Sequence, residues 1–266
     1  MRRLIALAAL VVAACSTPAV QPPKGLQAAQ KAMLRAAGIS PSIVSLPPQA
    51  TAIQSEADGN MLFWAQAQKD ARFKAMETLY VGTLARRGGT VLDLPHGNPL
   101  PVSDAEIGTY MREMETAGIV VVKDGKIRLE HYARGFTGHD RYTSFSMAKS
   151  FTALLMGAAM RDGAIRSVDD DVTRYIPEFK GSAWDGVTLR QMLTMTSGIR
   201  WNENYGDPKA DVSLINAQPP EPGKDRIVEY MRTLPRAHPA GTVWNYSTGE
   251  SALLGLIVKR ATGKPM

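Results

Sequence analysis

Cysteine is nearly absent from this chain of 266 residues, which contains a single one, Cys15. A single thiol excludes an internal disulfide, and its place near the amino end argues against a catalytic thiol. Asp169-Asp170-Asp171 lacks the spaced oxygen ligands of a calcium loop, so we expect a solvated turn there. No metal-ligand spacing separates the four histidines, His96, His131, His139 and His238. Since no glycine-rich phosphate loop follows a predicted strand either, we expect neither a metal nor a cofactor.

Clusters of positive charge are also missing, although the formal net charge is +6. The pairs Arg86-Arg87 and Lys259-Arg260 are isolated, so the sequence offers no basic track that could follow a phosphate backbone. We expect a solvated basic surface and no nucleic-acid partner. The hydrophobic content of 44% is ordinary for a globular protein.

The amino end has an apolar run that is too short for a transmembrane helix, which takes about 20 residues. This run, Leu4 to Ala14, follows two arginines and is typical of a signal peptide. Val12-Ala13-Ala14-Cys15 resembles the lipobox of bacterial lipoproteins, which implies that Cys15 is acylated and anchors the protein in a lipid bilayer. The resemblance places the protein on the periplasmic side of the cell envelope, and Ser16 implies the outer membrane. An ordinary secretory signal is the alternative.

Composition and periodicity divide the chain into four parts. Residues 1–14 form the signal peptide, 15–59 an extended tether rich in proline and alanine, 60–117 an N-terminal helical extension, and 118–266 the main domain. One helix, Leu26 to Ala37, is predicted within the tether.

The extension contains two predicted helices. Apolar residues between positions 60 and 80 recur at near-helical spacing and predict a helix that docks onto the main domain. Ser103-Asp104-Ala105-Glu106 has the form of a capping box, which opens a helix that runs to about Ala117.

The main domain begins with strands and continues with helices, which indicates an α+β fold. Ile119 to Val122, the turn Asp124-Gly125 and an alternating segment up to Tyr132 predict an antiparallel hairpin. Phe145 to Asp162 has almost no polar face, which predicts a buried helix. Cap and stop signals predict two more helices, Thr188 to Thr196 and Gly249 to Ala261.

Candidate chemistry lies in Ser146-Met147-Ala148-Lys149, at the start of the predicted buried helix. Residues three apart share one helical face, so the Lys149 amine can reach the Ser146 hydroxyl. A serine hydroxyl becomes a good nucleophile when a neighbouring base takes its proton. The helix N-terminus also favours the anion that develops there. The alternative is a serine that only caps the helix.

Several motifs occur in the order found in β-lactamase-related serine hydrolases. The chain resembles this family from about Gly118 onward, most closely the branch with 6-aminohexanoate-dimer hydrolases and β-lactamase-fold esterases. Class C β-lactamases and D-alanyl-D-alanine peptidases are more distant. The motifs are Ser144-Phe145-Ser146-Met147-Ala148-Lys149-Ser150-Phe151, Asp162-Gly163, Ile176-Pro177, Leu193-Thr194-Met195-Thr196-Ser197-Gly198 and Pro239-Ala240-Gly241-Thr242-Val243-Trp244-Asn245-Tyr246-Ser247.

The resemblance implies a β-lactamase/transpeptidase-like fold and assigns roles to particular residues. Ser146 is implied as the nucleophile, with Lys149 and Tyr246 as a general-base pair. Thr248 is implied as a substrate-binding residue. β-Lactamases often have Asn at this position, so the threonine argues against penicillin-type recognition. Tyr205 is implied to line the pocket and to donate a hydrogen bond to the leaving group, or else to be a surface tyrosine.

The function implied is hydrolysis of a small-molecule ester, amide or peptide through an acyl-enzyme on Ser146, with the substrate left open among esters, aminohexanoate-like amides, D-amino-acid peptides and β-lactams. Family members continue beyond the helix after Tyr246 with further strands, a third motif and a closing helix. We therefore expect residues 118–266 to be an incomplete domain and the chain alone to fold poorly and be essentially inactive. The alternative function is a non-catalytic lipoprotein that keeps part of the fold as a binding module.

Overall fold

The computed structural model describes residues 61–76, 90–217 and 222–264. The predicted signal peptide, Cys15, the tether and its helix from Leu26 to Ala37 lie outside the described residues. The chain divides into two compact units, Met1–Thr143 and Ser144–Met266. Within the ranges that the structure describes, no helix combines the length and the apolar character needed to cross a membrane.

The first unit contains a shorter helix than the sequence predicts between positions 60 and 80. A 3₁₀ turn, Met61–Phe63, precedes helix α1, Gln66–Arg72. Between positions 61 and 76 the helix is shorter than predicted, and positions 77–80 lie outside the described residues. Trp64 and Phe73 are buried with ring centroids 6.1 Å apart, on either side of the helix in sequence, whereas Phe63 is exposed.

Helix α2, Asp104–Glu113, confirms the capping box. Ser103 Oγ accepts from the backbone N–H of Glu106, and the Glu106 carboxylate accepts from the backbone N–H of Ser103 at 2.8 Å. Two donors at the helix start are satisfied in this way. The helix ends before the predicted Ala117 because the backbone at Glu115 turns to a φ of 49°, which a helix cannot include.

The predicted hairpin is confirmed as strands β1, Gly118–Lys123, and β2, Lys126–Tyr132, which pair antiparallel. Asp124 and Gly125 both have positive φ, 55° and 71°, as the favoured two-residue hairpin turn requires. Among the described residues the sheet consists of these two strands.

The second unit is helical. Its core includes Phe179 and Trp184, which stack with ring centroids 4.9 Å apart, and the Trp184 indole N–H donates to the Met231 carbonyl at 2.8 Å. Two 3₁₀ turns, Val172–Arg174 and Pro177–Phe179, lead into this core. The helices are α3, Met147–Arg161; α4, Leu189–Leu193; α5, Asp211–Ala217; α6, Arg226–Met231; and α7, Thr248–Thr262. Helix α7 packs against α3, α4 and α6.

Helix α3 is not buried on all sides, contrary to the prediction from its composition. Met156 and Ala159 face the core and are 1% and 3% exposed, whereas Leu154 and Leu155 expose 42% and 43% of their surface. The core of the second unit packs against one stripe of the helix. Apolar residues on every face of α3 therefore did not lead to burial of every face.

The Asp169-Asp170-Asp171 run is also not the expected solvated turn. Asp170 is buried, accepts a hydrogen bond from the Tyr175 hydroxyl at 2.8 Å and pairs with Arg166 at 2.6 Å. Asp171 caps the turn at Val172–Arg174. The prediction failed because Arg166 and Tyr175, four positions before Asp170 and five after it, fold back onto its carboxylate and bury it.

Candidate active site

Ser146 lies at the entrance to helix α3 and is exposed. It occupies the N-cap position, yet its side chain makes no capping hydrogen bond, so the simple capping interpretation does not hold. The preceding residue, Phe145, has a φ of 42°, in the left-handed region that costs energy for a residue with a side chain. The hydroxyl of Ser146 is thus presented away from the helix backbone, by a strained turn.

Two side chains meet the Ser146 hydroxyl. The Lys149 ammonium donates to Ser146 Oγ at 3.1 Å, one helical turn along the same face. The Tyr246 hydroxyl donates to the same oxygen at 2.7 Å, although the two residues are far apart in sequence. Lys149 Nζ also lies 4.9 Å from the centroid of the Tyr246 ring. The structure therefore brings together the three residues that the resemblance implied.

Tyr246 is positioned next to Ser146 by hydrogen bonds between two of the sequence motifs, Leu193 to Gly198 and Pro239 to Ser247. The backbone N–H of Asn245 donates to the Met195 carbonyl at 2.9 Å, and that of Gly241 donates to the Thr196 carbonyl at 2.7 Å. Gly198 has a φ of 76°, and a Cβ there would lie 2.1 Å from the His238 carbonyl oxygen. The close approach of the two segments explains why the motif Leu193 to Gly198 ends in glycine.

Tyr205 and Thr248 also come together, through a residue that the sequence analysis did not single out. The Tyr205 hydroxyl lies 3.3 Å from Thr248 Oγ1 and donates to the Glu203 carboxylate at 2.6 Å. The same carboxylate accepts from the hydroxyl and the backbone N–H of Thr248 and from the Trp201 indole N–H. A carboxylate two positions from both Trp201 and Tyr205 was the available signal, but the two donors from Thr248 depend on the tertiary fold.

The protonation states in this cluster follow from its contacts. Burial tends to raise the pKa of Glu203, but the hydrogen bonds from Thr248, Tyr205 and Trp201 outweigh it and leave the pKa below its ordinary value. Burial, together with the hydrogen bond to Glu203, raises the pKa of Tyr205 to about 12. At neutral pH Glu203 is a carboxylate and Tyr205 keeps its proton.

A second carboxyl near the start of α7 has a different environment. Glu250 is 3% exposed, and burial raises its pKa to about 8, although the Ser197 hydroxyl donates to its Oε1 at 2.7 Å. Its Oε2 has no hydrogen-bond partner among the described residues. Glu250 is therefore mostly neutral at pH 7. Through Ser197 it links helix α7 to the segment Leu193 to Gly198, whose carbonyls bind the segment that contains Tyr246.

Metal ligation finds no support in the described part of the chain, where no three side chains of histidine, cysteine, aspartate and glutamate gather as a metal site would require. The polar groups around Ser146 are instead a hydroxyl, an ammonium and a phenol. These groups can move a proton and support a nucleophile.

A serine and a lysine one helical turn apart, met by a distant tyrosine, together with an antiparallel hairpin followed by helices, define the β-lactamase/transpeptidase-like class of fold. Residues 104–266 match the family model described as Beta-lactamase. This match covers more than half of the chain, which therefore belongs to that family.

Three similar proteins illustrate the family. The 6-aminohexanoate-dimer hydrolase of Paenarthrobacter ureafaciens is 29% identical over 160 residues, 58% of this chain and 40% of the relative. A β-lactamase of Pseudomonas fluorescens is 25% identical over 62% of this chain and 44% of the relative. A solved structure from Bacillus anthracis, provisionally named a 6-aminohexanoate-dimer hydrolase, has a TM-score of 0.58 and 19% identity, and the match covers 74% of this chain and 56% of that one.

These similarities confirm the predicted family and the predicted class of fold. The chain spans less than half of the length of the two curated relatives, 40% and 44%. The structural likeness at 19% identity bears on the fold alone.

Proposed function

We propose that the protein is a serine hydrolase that cleaves an ester or amide bond through an acyl-enzyme on Ser146, with Lys149 and Tyr246 as its general-base pair. The observation that supports this most is the position of Ser146 Oγ, 3.1 Å from the Lys149 amine and 2.7 Å from the Tyr246 hydroxyl. These are the distances over which a proton can pass between donor and acceptor.

In this proposal the general-base pair of Tyr246 and Lys149 takes the Ser146 proton while Oγ bonds to the carbonyl carbon, and the carbonyl oxygen becomes an oxyanion. Backbone N–H groups, including that of Ser146, stabilise the oxyanion. The intermediate then collapses, and the departing alcohol or amine receives the proton from Tyr246.

Deacylation repeats these steps with water in place of serine. Tyr246 takes a proton from the water, the resulting hydroxide attacks the acyl carbon, and Ser146 leaves with a proton returned from Tyr246. Each cycle therefore consumes one water and releases one acid and one alcohol or amine. The three side chains end in the states in which they began.

The substrate we propose is a small linear ester or amide. The relative with the higher identity of the two described above is named for hydrolysis of a 6-aminohexanoate dimer. The place where β-lactamases often carry Asn is occupied here by Thr248, which is engaged with Glu203. We therefore rank linear amides and esters ahead of β-lactams.

Turnover of a chromogenic ester by the purified protein tests this proposal. Ser146→Ala should abolish turnover, whereas Ser150→Ala is the matched control, because it removes an exposed hydroxyl from the same helix without touching Lys149 or Tyr246. Equal turnover in wild type and Ser146→Ala would contradict the proposal. A folded wild-type protein that turns over no ester or amide would favour the alternative of a non-catalytic binding module.

We also propose that Cys15 is lipidated and anchors the protein at the periplasmic side of the cell envelope, in the outer membrane. The support for this proposal is the sequence around Cys15 alone. Acylation of that cysteine would suffice as an anchor, because two or more acyl chains give stable membrane binding. Detergent partitioning and the mass of the mature amino terminus test it. Normal processing and membrane retention of Cys15→Ala would contradict it.

A further inference from the structure

Trp244 differs in its exposure from the three other tryptophans of the chain. Those three, Trp64, Trp184 and Trp201, are buried, whereas Trp244 exposes 66% of its surface. Single exposed apolar side chains are common on proteins, so exposure alone does not indicate a role. The position of Trp244, two residues before Tyr246, gives its exposure a meaning.

Trp244 and Tyr246 lie on the same side of the segment that carries them. Their ring centroids are 6.3 Å apart and their planes meet at 53°, a separation at which aromatic rings attract one another. The Tyr246 hydroxyl donates to Ser146 Oγ at 2.7 Å. The Trp244 ring therefore flanks the phenol whose hydroxyl contacts the candidate nucleophile.

The backbone next to Trp244 is held in place through the neighbouring Asn245. The backbone N–H of Asn245 donates to the Met195 carbonyl at 2.9 Å, and its side-chain amide donates to the Trp201 carbonyl at 3.1 Å. A binding surface that is already positioned in the free protein loses little conformational freedom when a ligand binds. Trp244 thus offers a preformed aromatic surface beside Tyr246.

The chemistry at Tyr246 determines which part of a substrate would meet this surface. In the reaction proposed above, Tyr246 returns the proton taken from Ser146 to the departing oxygen or nitrogen while the bond of that atom to the carbonyl carbon breaks. The departing atom must then lie within hydrogen-bonding distance of the Tyr246 hydroxyl. The group attached to it extends from the phenol, and the Trp244 ring lies beside that phenol.

On the basis of the function proposed above, we propose that Trp244 binds the departing alcohol or amine portion of the substrate and favours substrates in which that portion is apolar or aromatic. Contact with the indole removes apolar surface from water, and a second aromatic ring adds a favourable ring–ring interaction. An indole offers a donor and no acceptor, so Trp244 selects the substrate and does not move the proton.

The test compares the methyl and benzyl esters of butanoic acid, which release alcohols of nearly equal acidity and form the same acyl-enzyme. We expect the wild type to favour the benzyl ester. Trp244→Ala should lower kcat/KM for the benzyl ester roughly five- to twentyfold and that for the methyl ester by less than about threefold, the effect of one lost aromatic contact. Trp244→Phe should recover most of the loss.

Deacylation separates binding by Trp244 from displacement of Tyr246. The alcohol has departed before water attacks, whereas Tyr246 acts in both steps of the proposed reaction. Trp244→Ala should therefore leave hydrolysis of the butanoyl-enzyme, formed with 4-nitrophenyl butanoate and followed in a single turnover, within about twofold of wild type. Leu155→Ala is the matched control, since it also removes an exposed apolar side chain from the second unit and should leave both esters unaffected.

Equal losses for the two esters in Trp244→Ala, or slower hydrolysis of the acyl-enzyme, would show that Trp244 only supports Tyr246 and would overturn the inference. A wild-type protein with no preference for the benzyl ester would overturn it and leave the proposed function intact. Ester turnover that persists in Ser146→Ala, or a folded wild type that hydrolyses neither ester, would contradict the proposed function, and the inference with it.

Discussion

The exposed side of the second unit and its interior place polar groups under opposite conditions. Around Ser146 the hydroxyl, the ammonium of Lys149 and the phenol of Tyr246 are hydrogen-bonded to one another within reach of solvent. In the interior, the buried Glu250 side chain has one hydrogen bond, on the helix that contributes Leu253, Leu254 and Ile257 to the hydrophobic core. Function is expected to depend on the first region and stability on the second, so variants in each should have separable effects.

Removal of the base pair should produce the largest effect and should affect activity alone. We expect Tyr246→Phe and Lys149→Ala each to lower kcat by about 10²–10⁴-fold, the usual range for a general base. The double variant should lose little more than the worse single one, since residues that act as a unit are non-additive. Steady-state kinetics and thermal melting check this. Near-wild-type turnover in Tyr246→Phe would leave Lys149 as the base.

A change in the aromatic core should affect stability alone. Trp184→Ala removes the stacking on Phe179 and the hydrogen bond to the Met231 carbonyl. We expect a loss of about 3–5 kcal/mol in the free energy of unfolding, as for other large-to-small changes of buried aromatic residues. Denaturant unfolding measures it. The kcat of the fraction that remains folded should stay within about threefold of wild type, because Ser146 is not in this core.

Glu250 provides a test of the interior through pH. Its pKa, about 8 when folded, lies above the ordinary 4.5 of the unfolded chain, so between these values the unfolded state releases a proton that the folded state keeps. The free energy of unfolding is therefore least reduced by Glu250 below about pH 4.5. It declines as the pH rises towards 8 and is lowest above that value.

Glu250→Gln should remove this dependence. The Tm of the variant, relative to wild type, should rise from pH 5 to about pH 8 and level off above it, because glutamine never ionises. Glu203→Gln should show no trend across this range, because the lowered pKa of Glu203 stabilises the fold above its ordinary 4.5 and that contribution is lost only as the pH falls below about 4.5. Calorimetry at five or six pH values compares the two. The same Tm difference at pH 5 and pH 9 for Glu250→Gln would contradict a buried neutral carboxyl.

Local sequence signals predicted the elements whose determinants are local. The hairpin depended on Asp124-Gly125, and helix α2 depended on a capping box at Ser103. The proximity of Lys149 to Ser146 followed from helical spacing. In these cases the atoms that fix the structure lie within a few residues of one another, so the pattern was sufficient.

Other features could not be predicted because their causes are tertiary. The exposure of Leu154 and Leu155 depends on which stripe of α3 the core covers. The high pKa of Glu250 depends on burial against distant segments, and the low pKa of Glu203 depends in part on the two donors of the distant Thr248. A sequence shows that such carboxyls exist, but not how many donors will surround them.

The central claim, that Ser146 is an activated nucleophile, is tested most directly by covalent labelling. The purified protein is treated with a fluorophosphonate and digested, and the labelled peptide is identified by mass spectrometry. We predict one adduct, on Ser146, which forms at least about a hundredfold more slowly in Tyr246→Phe and is absent from Ser146→Ala. An unlabelled, folded wild-type protein, or an adduct on Ser150 in place of Ser146, would contradict the account.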